Sequence, residues 1–68
     1  MLITVNGERR QVPDGLTVAE LVRDLGRDPQ GRGVAVALEG EVVPRAHWSD
    51  VELGEAATIE VVNAVGGG

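Results

Sequence analysis

The chain has 68 residues, six arginines and no lysine against eleven acids, a net charge of −5, and no cysteine. That length holds one small core and no enclosed active site of ordinary size. The missing cysteine excludes disulfides and thiolate metal sites, the single His47 makes no zinc site, and the acidic balance excludes nucleic acid, whose phosphates demand a basic face. Without an ε-amine, no isopeptide-linked chain can grow on this protein. The longest plain apolar run, residues 34–38, is far below the ~20 residues that span a bilayer, and the N-terminus has no signal-peptide h-region. No membrane association and a cytoplasmic location are expected.

Leu2-Ile3-Thr4-Val5 has the β-branched content of a strand, and Asn6-Gly7 is the preferred pair for a two-residue type I′ hairpin. The return strand, about residues 8–12, is polar and belongs near an edge. Pro13-Asp14-Gly15 is a turn. Thr17 and Glu20 have the spacing of a capping box, with Leu16 and Leu21 at the hydrophobic-staple positions. Val18, Leu21, Val22 and Leu25 then form one apolar helical stripe that Gly26 ends, which predicts a helix over residues 17–25.

Residues 27–33 read as a polar loop. Val34-Ala35-Val36-Ala37-Leu38 is a strand with large residues on one face and alanines on the other, turned by Glu39-Gly40-Glu41 into a short Val42-Val43 strand that Pro44 stops. Residues 45–50 are irregular or a single helical turn, in which Trp48, the one aromatic residue, caps the core. Residues 51–55 are a connection that turns at Gly54. Residues 58–63 form the last strand, with Ile59 and Val61 inward and Thr58, Glu60 and Val62 outward. One helix covering a four- to five-stranded mixed sheet makes a two-layer α+β domain. With the first and last strands side by side in the middle, this is the β-grasp, or ubiquitin-like, architecture. The expected organisation is a β-grasp domain over residues 1–63 and a flexible glycine tail over residues 64–68. A glycine-ended tail is thin enough to thread a narrow channel in a partner, since glycine lacks the Cβ that restricts other residues.

Several local constellations carry no function. His47 with Asp50 has no nucleophile or pocket beside it, so no catalytic residue is assigned. Gly31-Arg32-Gly33 is not followed by the helix that a phosphate loop requires.

The order Met1-Leu2-Ile3-Thr4-Val5-Asn6-Gly7-Glu8, then Leu16-Thr17-Val18-Ala19-Glu20-Leu21, resembles the start of the thiamin-pathway sulfur carriers, the ThiS family. The run from Val34 through Glu39-Gly40-Glu41 to Pro44-Arg45 and the ending Ile59-Glu60-Val61-Val62-Asn63-Ala64-Val65-Gly66-Gly67-Gly68 are similar to that family too. The chain departs from it at Glu39-Gly40, where Asn-Gly is common, and near Gly54-Glu55, where Gly-Asp is; both bear on partner preference rather than on chemistry. Gly66 is one glycine beyond the usual pair.

The resemblance implies a carrier cycle. An ATP-dependent, ThiF-like adenylating enzyme would convert the Gly68 carboxylate to an acyl-adenylate. A sulfur donor such as a cysteine desulfurase would then displace AMP to leave a thiocarboxylate, and a ThiG-like thiazole synthase would take the sulfur. ATP belongs to the adenylating partner; the carrier itself is expected to bind no cofactor and no metal. Gly66 and Gly67 would be recognised in the tail, while Val62, Ala64, Val65 and Arg45 are candidate partner-surface residues. Two other readings stand beside this one: the same carrier chemistry serving molybdopterin or cysteine synthesis, and a ubiquitin-like protein modifier or binding module.

Overall fold

The computed structural model describes residues 1–28 and 30–63. β1 (Leu2–Val5) and β2 (Glu8–Gln11) form the first hairpin, α1 (Val18–Asp24) follows, and β3 (Val34–Leu38) and β4 (Glu41–Val42) form the second hairpin. A 3-10 helix (Arg45–Asp50) then leads to β5 (Thr58–Asn63). The five strands make one sheet in the order β2-β1-β5-β3-β4. β1 and β5 are parallel neighbours, and the other pairings are antiparallel. This is the expected β-grasp arrangement, with the first and last strands in the middle.

Local chemistry explains each element. Asn6 and Gly7 have φ of 52° and 84°, and Glu39 and Gly40 have 50° and 82°, so both hairpins meet the double positive-φ requirement of a type I′ turn. The α1 capping box is complete: Glu20 N–H donates to Thr17 Oγ1 at 3.1 Å, and Thr17 N–H donates to Glu20 Oε1 at 2.9 Å. At the other end Gly26 takes φ +76°. Its N–H reaches the Arg23 carbonyl at 2.9 Å and Arg27 N–H reaches that of Val22 at 3.2 Å, the paired closure of a Schellman motif. β2 ends at Gln11 rather than at residue 12, yet Val12 N–H still donates to the Met1 carbonyl at 2.9 Å.

The core lies between α1 and one sheet face. Ile3 and Val5 of β1, Val36 of β3 and Ile59 and Val61 of β5 meet Val18, Leu21 and Val22 of the helix, all buried. Leu25, at the C-cap, is only partly covered. Residues 45–50 form two turns of 3-10 helix where at most one turn was expected. They swing Trp48 under the domain, where it is 5% exposed. Its indole N–H donates to the Val43 carbonyl at 2.8 Å, satisfying the one polar atom that burial of the ring would otherwise strand.

The connection after Asp50 contributes more than a turn. Val18 N–H donates to the Val51 carbonyl, Leu53 N–H donates to the Leu16 carbonyl, and Leu53 and Ala57 join the core. The left-handed residue of the following turn is Ala56, at φ 64°, and not Gly54.

Candidate functional site

β5 has a neighbour on both sides, β1 and β3, so the strand that leads into residues 64–68 is anchored at the centre of the sheet. Three side chains that are not part of the sheet ladder hold it. The Asn6 amide donates through Nδ2 to the Val61 carbonyl at 3.0 Å and accepts the Val61 N–H through Oδ1 at 2.8 Å. Glu39 Oε2 accepts the Thr58 N–H at 2.9 Å, while Glu39 N–H donates to the Thr58 carbonyl, also at 2.9 Å. Arg27, just past the helix, donates to Asn63 Oδ1. Neither of the first two roles follows from a sequence pattern, because Asn6 reads as a turn residue and Glu39 as an ordinary surface acid. Glu39-Gly40, the departure noted above, keeps the hairpin geometry and adds this clasp.

The sheet face opposite α1 is open. Val62 of β5 stands beside Ala35 of β3, and Ala37 of β3 stands between Glu60 of β5 and Val42 of β4. With Val36 these residues line a shallow groove of about 200 Å³. Val42 is 75% exposed and Val62 52% exposed. The groove exists because the two outward residues of β3 are alanines, which leave a trough between the taller valines on either side. Glu60 supplies its one charge.

Val62 therefore points outward as expected, and its neighbours on that face were legible only in the valine–alanine alternation of β3. Arg45 does not line the groove. It is exposed, and its stem rests against the loop glycine Gly31: a Cβ built there would lie 2.6 Å from Arg45 Cδ and 2.6 Å from Trp48 Cζ3. Gly31, at φ +75°, is thus a packing glycine rather than part of a phosphate loop. Ala64, Val65, Gly66, Gly67 and Gly68, together with the flexible tail assigned to them, lie outside the described residues.

Two carboxyls are held below their usual range. Glu20 is lowered by the backbone N–H and then the hydroxyl of Thr17, and Asp28 by the Gln30 N–H and more weakly by Arg32. Both are structural, at a helix start and in a loop. Among the described residues no group of three His, Cys, Asp or Glu side chains is placed to hold a metal ion. No described helix is long and apolar enough to cross a membrane.

Strand order, the single covering helix and the central strand running into a glycine-ended segment define a ubiquitin-like β-grasp domain. The chain belongs to the ThiS family, whose model matches residues 3–68. A crystal structure of the thiamine biosynthesis protein ThiS from Geobacter metallireducens superimposes with a TM-score of 0.84 at 33% identity, covering 100% of both chains. The solution structure of a thiamine biosynthesis protein from the same organism gives 0.79 at 33% identity, over 100% of this chain and 88% of that one. A thiazole synthase of Paramagnetospirillum magneticum is 35% identical over 68 residues, so that the chain spans 20% of that relative's length.

Proposed function

We propose that this protein carries sulfur for thiamin thiazole formation, with the Gly68 carboxylate as the attachment point. The observation that carries the reading is the family match, which continues through residue 68 and so includes the glycines that follow β5. The carboxylate oxygen attacks the α-phosphorus of ATP in the adenylating partner, and pyrophosphate leaves. A sulfur nucleophile from the donor then attacks the acyl carbon and AMP leaves, so that the carrier ends as a thiocarboxylate.

The chain's own residues supply recognition and reach. β5 fixes where the tail begins, Gly66 and Gly67 keep it narrow, and roughly 17 Å of extended chain separates Asn63 from the reacting atom at ~3.4 Å per residue. The absence of cysteine leaves no side-chain thiol to capture the acyl-adenylate. The open groove around Val62 is the docking face, with Ala64 and Val65 continuing it. A relative named thiazole synthase supports the thiamin pathway over molybdopterin or cysteine synthesis.

The test incubates the carrier with a purified ThiF-like adenylating enzyme, ATP and a cysteine desulfurase charged with cysteine. The C-terminal peptide should gain the mass difference of sulfur over oxygen. Deleting Gly68 or adding a residue after it should abolish the gain with the fold intact. Presented separately to thiazole synthase and to the large subunit of molybdopterin synthase, the thiocarboxylate form should give up sulfur only to the first. Transfer to the second alone would discard the pathway and keep the carrier chemistry.

A further inference from the structure

All six arginines adjoin the C-terminal end of α1 or the loop that follows it. Arg23 lies in the helix's last turn, and Arg27 and Arg32 lie on the loop. Arg45 has its stem on Gly31 of that loop. Arg9 and Arg10 share a hollow of about 110 Å³ with Leu25, the helix's C-cap, and with Asn6 and Glu8. The loop leads into Val34, which pairs with Asn63, and Arg27 itself holds Asn63. The arginines therefore gather around the root of the tail.

The acids on this surface do little to cancel them. Asp24 pairs with Arg23 at 3.7 Å and Asp28 with Arg32 at 3.2 Å. Among the described residues no carboxylate lies within 4 Å of Arg9, Arg10, Arg27 or Arg45 in an ion pair. The contacts of the remaining acids lie elsewhere: Glu20 at the helix start, Glu39 on Thr58, Glu55 on the Leu2 N–H and Asp14 on the N-terminal ammonium. The helix dipole favours cations at its C-terminus, but that accounts for Arg23 and Arg27 and not for Arg9, Arg10 or Arg45, which come from other elements.

We infer that this arginine collar is a docking surface for an acidic rim around the opening through which the activating enzyme admits the tail. The inference rests on the proposed carrier reading. In a protein of net charge −5, an acidic partner surface would repel every approach except the one that presents the collar. Complementary fields of this kind set orientation and association rate. The nucleotide is not the collar's counterpart, because the tail places the reacting carboxylate roughly 17 Å beyond Asn63. That is about two Debye lengths at physiological ionic strength.

The experiment measures by calorimetry the binding of the intact carrier to the purified adenylating enzyme between low and high salt, with ATP–pyrophosphate exchange followed in parallel. Arg27→Gln/Arg45→Gln and, independently, Arg9→Gln/Arg10→Gln should each weaken binding about tenfold at low salt and flatten the salt dependence, with the exchange rate at saturating carrier unchanged. The second pair makes no side-chain hydrogen bond among the described residues, so a folding defect in the first leaves the inference testable. Gln11→Glu/Ser49→Asp makes the same change in net charge away from the collar and should change affinity less than twofold. Unchanged affinity in both arginine pairs, or an equal loss in the control, overturns the inference, as does saturable binding of ATP to the carrier alone. Salt-dependent, arginine-dependent binding without exchange would support the collar and sink the carrier reading. An absence of any binding sinks both.

Discussion

The side chain of Asn6 bonds both backbone polar groups of Val61, giving Nδ2–H to its carbonyl at 3.0 Å and taking its N–H at 2.8 Å. The backbone of Asn6 turns away at φ 52° to start the hairpin, so β1 has no backbone group to offer at that level. The amide substitutes for the missing strand residue and keeps β5 zipped to within two residues of its end. Asn6→Gly retains the turn geometry and loses both bonds. It should cost about 1–2 kcal/mol in urea denaturation, at 0.5–1.5 kcal/mol per bond. Asn6→Ala adds the left-handed strain of about 1 kcal/mol and should be the less stable of the two. Equal stability of Asn6→Gly and the parent would show that the amide contributes nothing.

Gly31 faces two constraints at once. Its φ of +75° is strained for any L-residue, and a Cβ would come within 2.9 Å of the Trp48 ring and of Arg45 Cδ. Gly31→Ala should therefore destabilise by about 2–4 kcal/mol, combining overpacking with left-handed strain. The emission of Trp48, the one aromatic residue, should shift to the red as the indole is pushed toward water. Gly33→Ala, where a Cβ meets nothing within 4 Å at φ +70°, should lose only the strain, about 1 kcal/mol.

Acid should weaken the fold through the capping box. The Glu20 pKa is lowered by the Thr17 N–H and hydroxyl, and that of Asp28 by the Gln30 N–H. A carboxyl whose folded value lies below its unfolded one binds protons more readily when unfolded, so stability rises with pH there. The contribution is present above the ordinary value, 4.5 for Glu20 and 3.8 for Asp28. It is lost as pH falls through the lowered folded value. Melting temperatures from pH 7 to pH 3 should fall on the acid side, and Glu20→Gln should reduce that fall while lowering stability at pH 7. Thr17→Ala, which removes the cap itself, should cost about 1 kcal/mol at neutral pH. An identical pH profile for Glu20→Gln and the parent would refute the account.

Much of this architecture is legible because its signals are local. Asn6-Gly7, the Thr17–Glu20 box, the apolar stripe of α1 and the alternation of β3 and β5 each act within a few residues. Together they force the β-grasp order. What escaped is long-range. Leu53 and Ala57 sit in a stretch without periodicity and reach the core only because Leu53 N–H is caught by Leu16 on the far side of the domain. The bonds from Asn6 to Val61 and from Glu39 to Thr58 join residues far apart in sequence, and no spacing rule announces them. The candidate site divides the same way. The outward direction of Val62 follows from strand alternation, while the separation of Arg45 from the groove depends on how the 3-10 helix folds back over Gly31.

The groove beside Val62 predicts a separation between stability and docking. Its floor is Ala35 and Ala37, its walls are Val42 and Val62, and Glu60 is its single charge. A partner side chain entering it would cover valines that are 75% and 52% exposed, and full burial of a valine contributes roughly 1.5–3 kcal/mol. Ala37→Leu fills the trough from below on a surface where the added methyl groups meet solvent, so the domain's own stability should change by less than about 0.5 kcal/mol. Binding to the adenylating enzyme should nonetheless fall about tenfold or more, since one buried valine's share of the contact is lost. Val62→Thr keeps the β-branched shape that suits the strand and should weaken binding in the same direction by a smaller factor. Chemical denaturation and calorimetry on the same samples separate the two quantities. If Ala37→Leu binds as tightly as the parent, the enzyme docks elsewhere and this face of the sheet is only its solvent side.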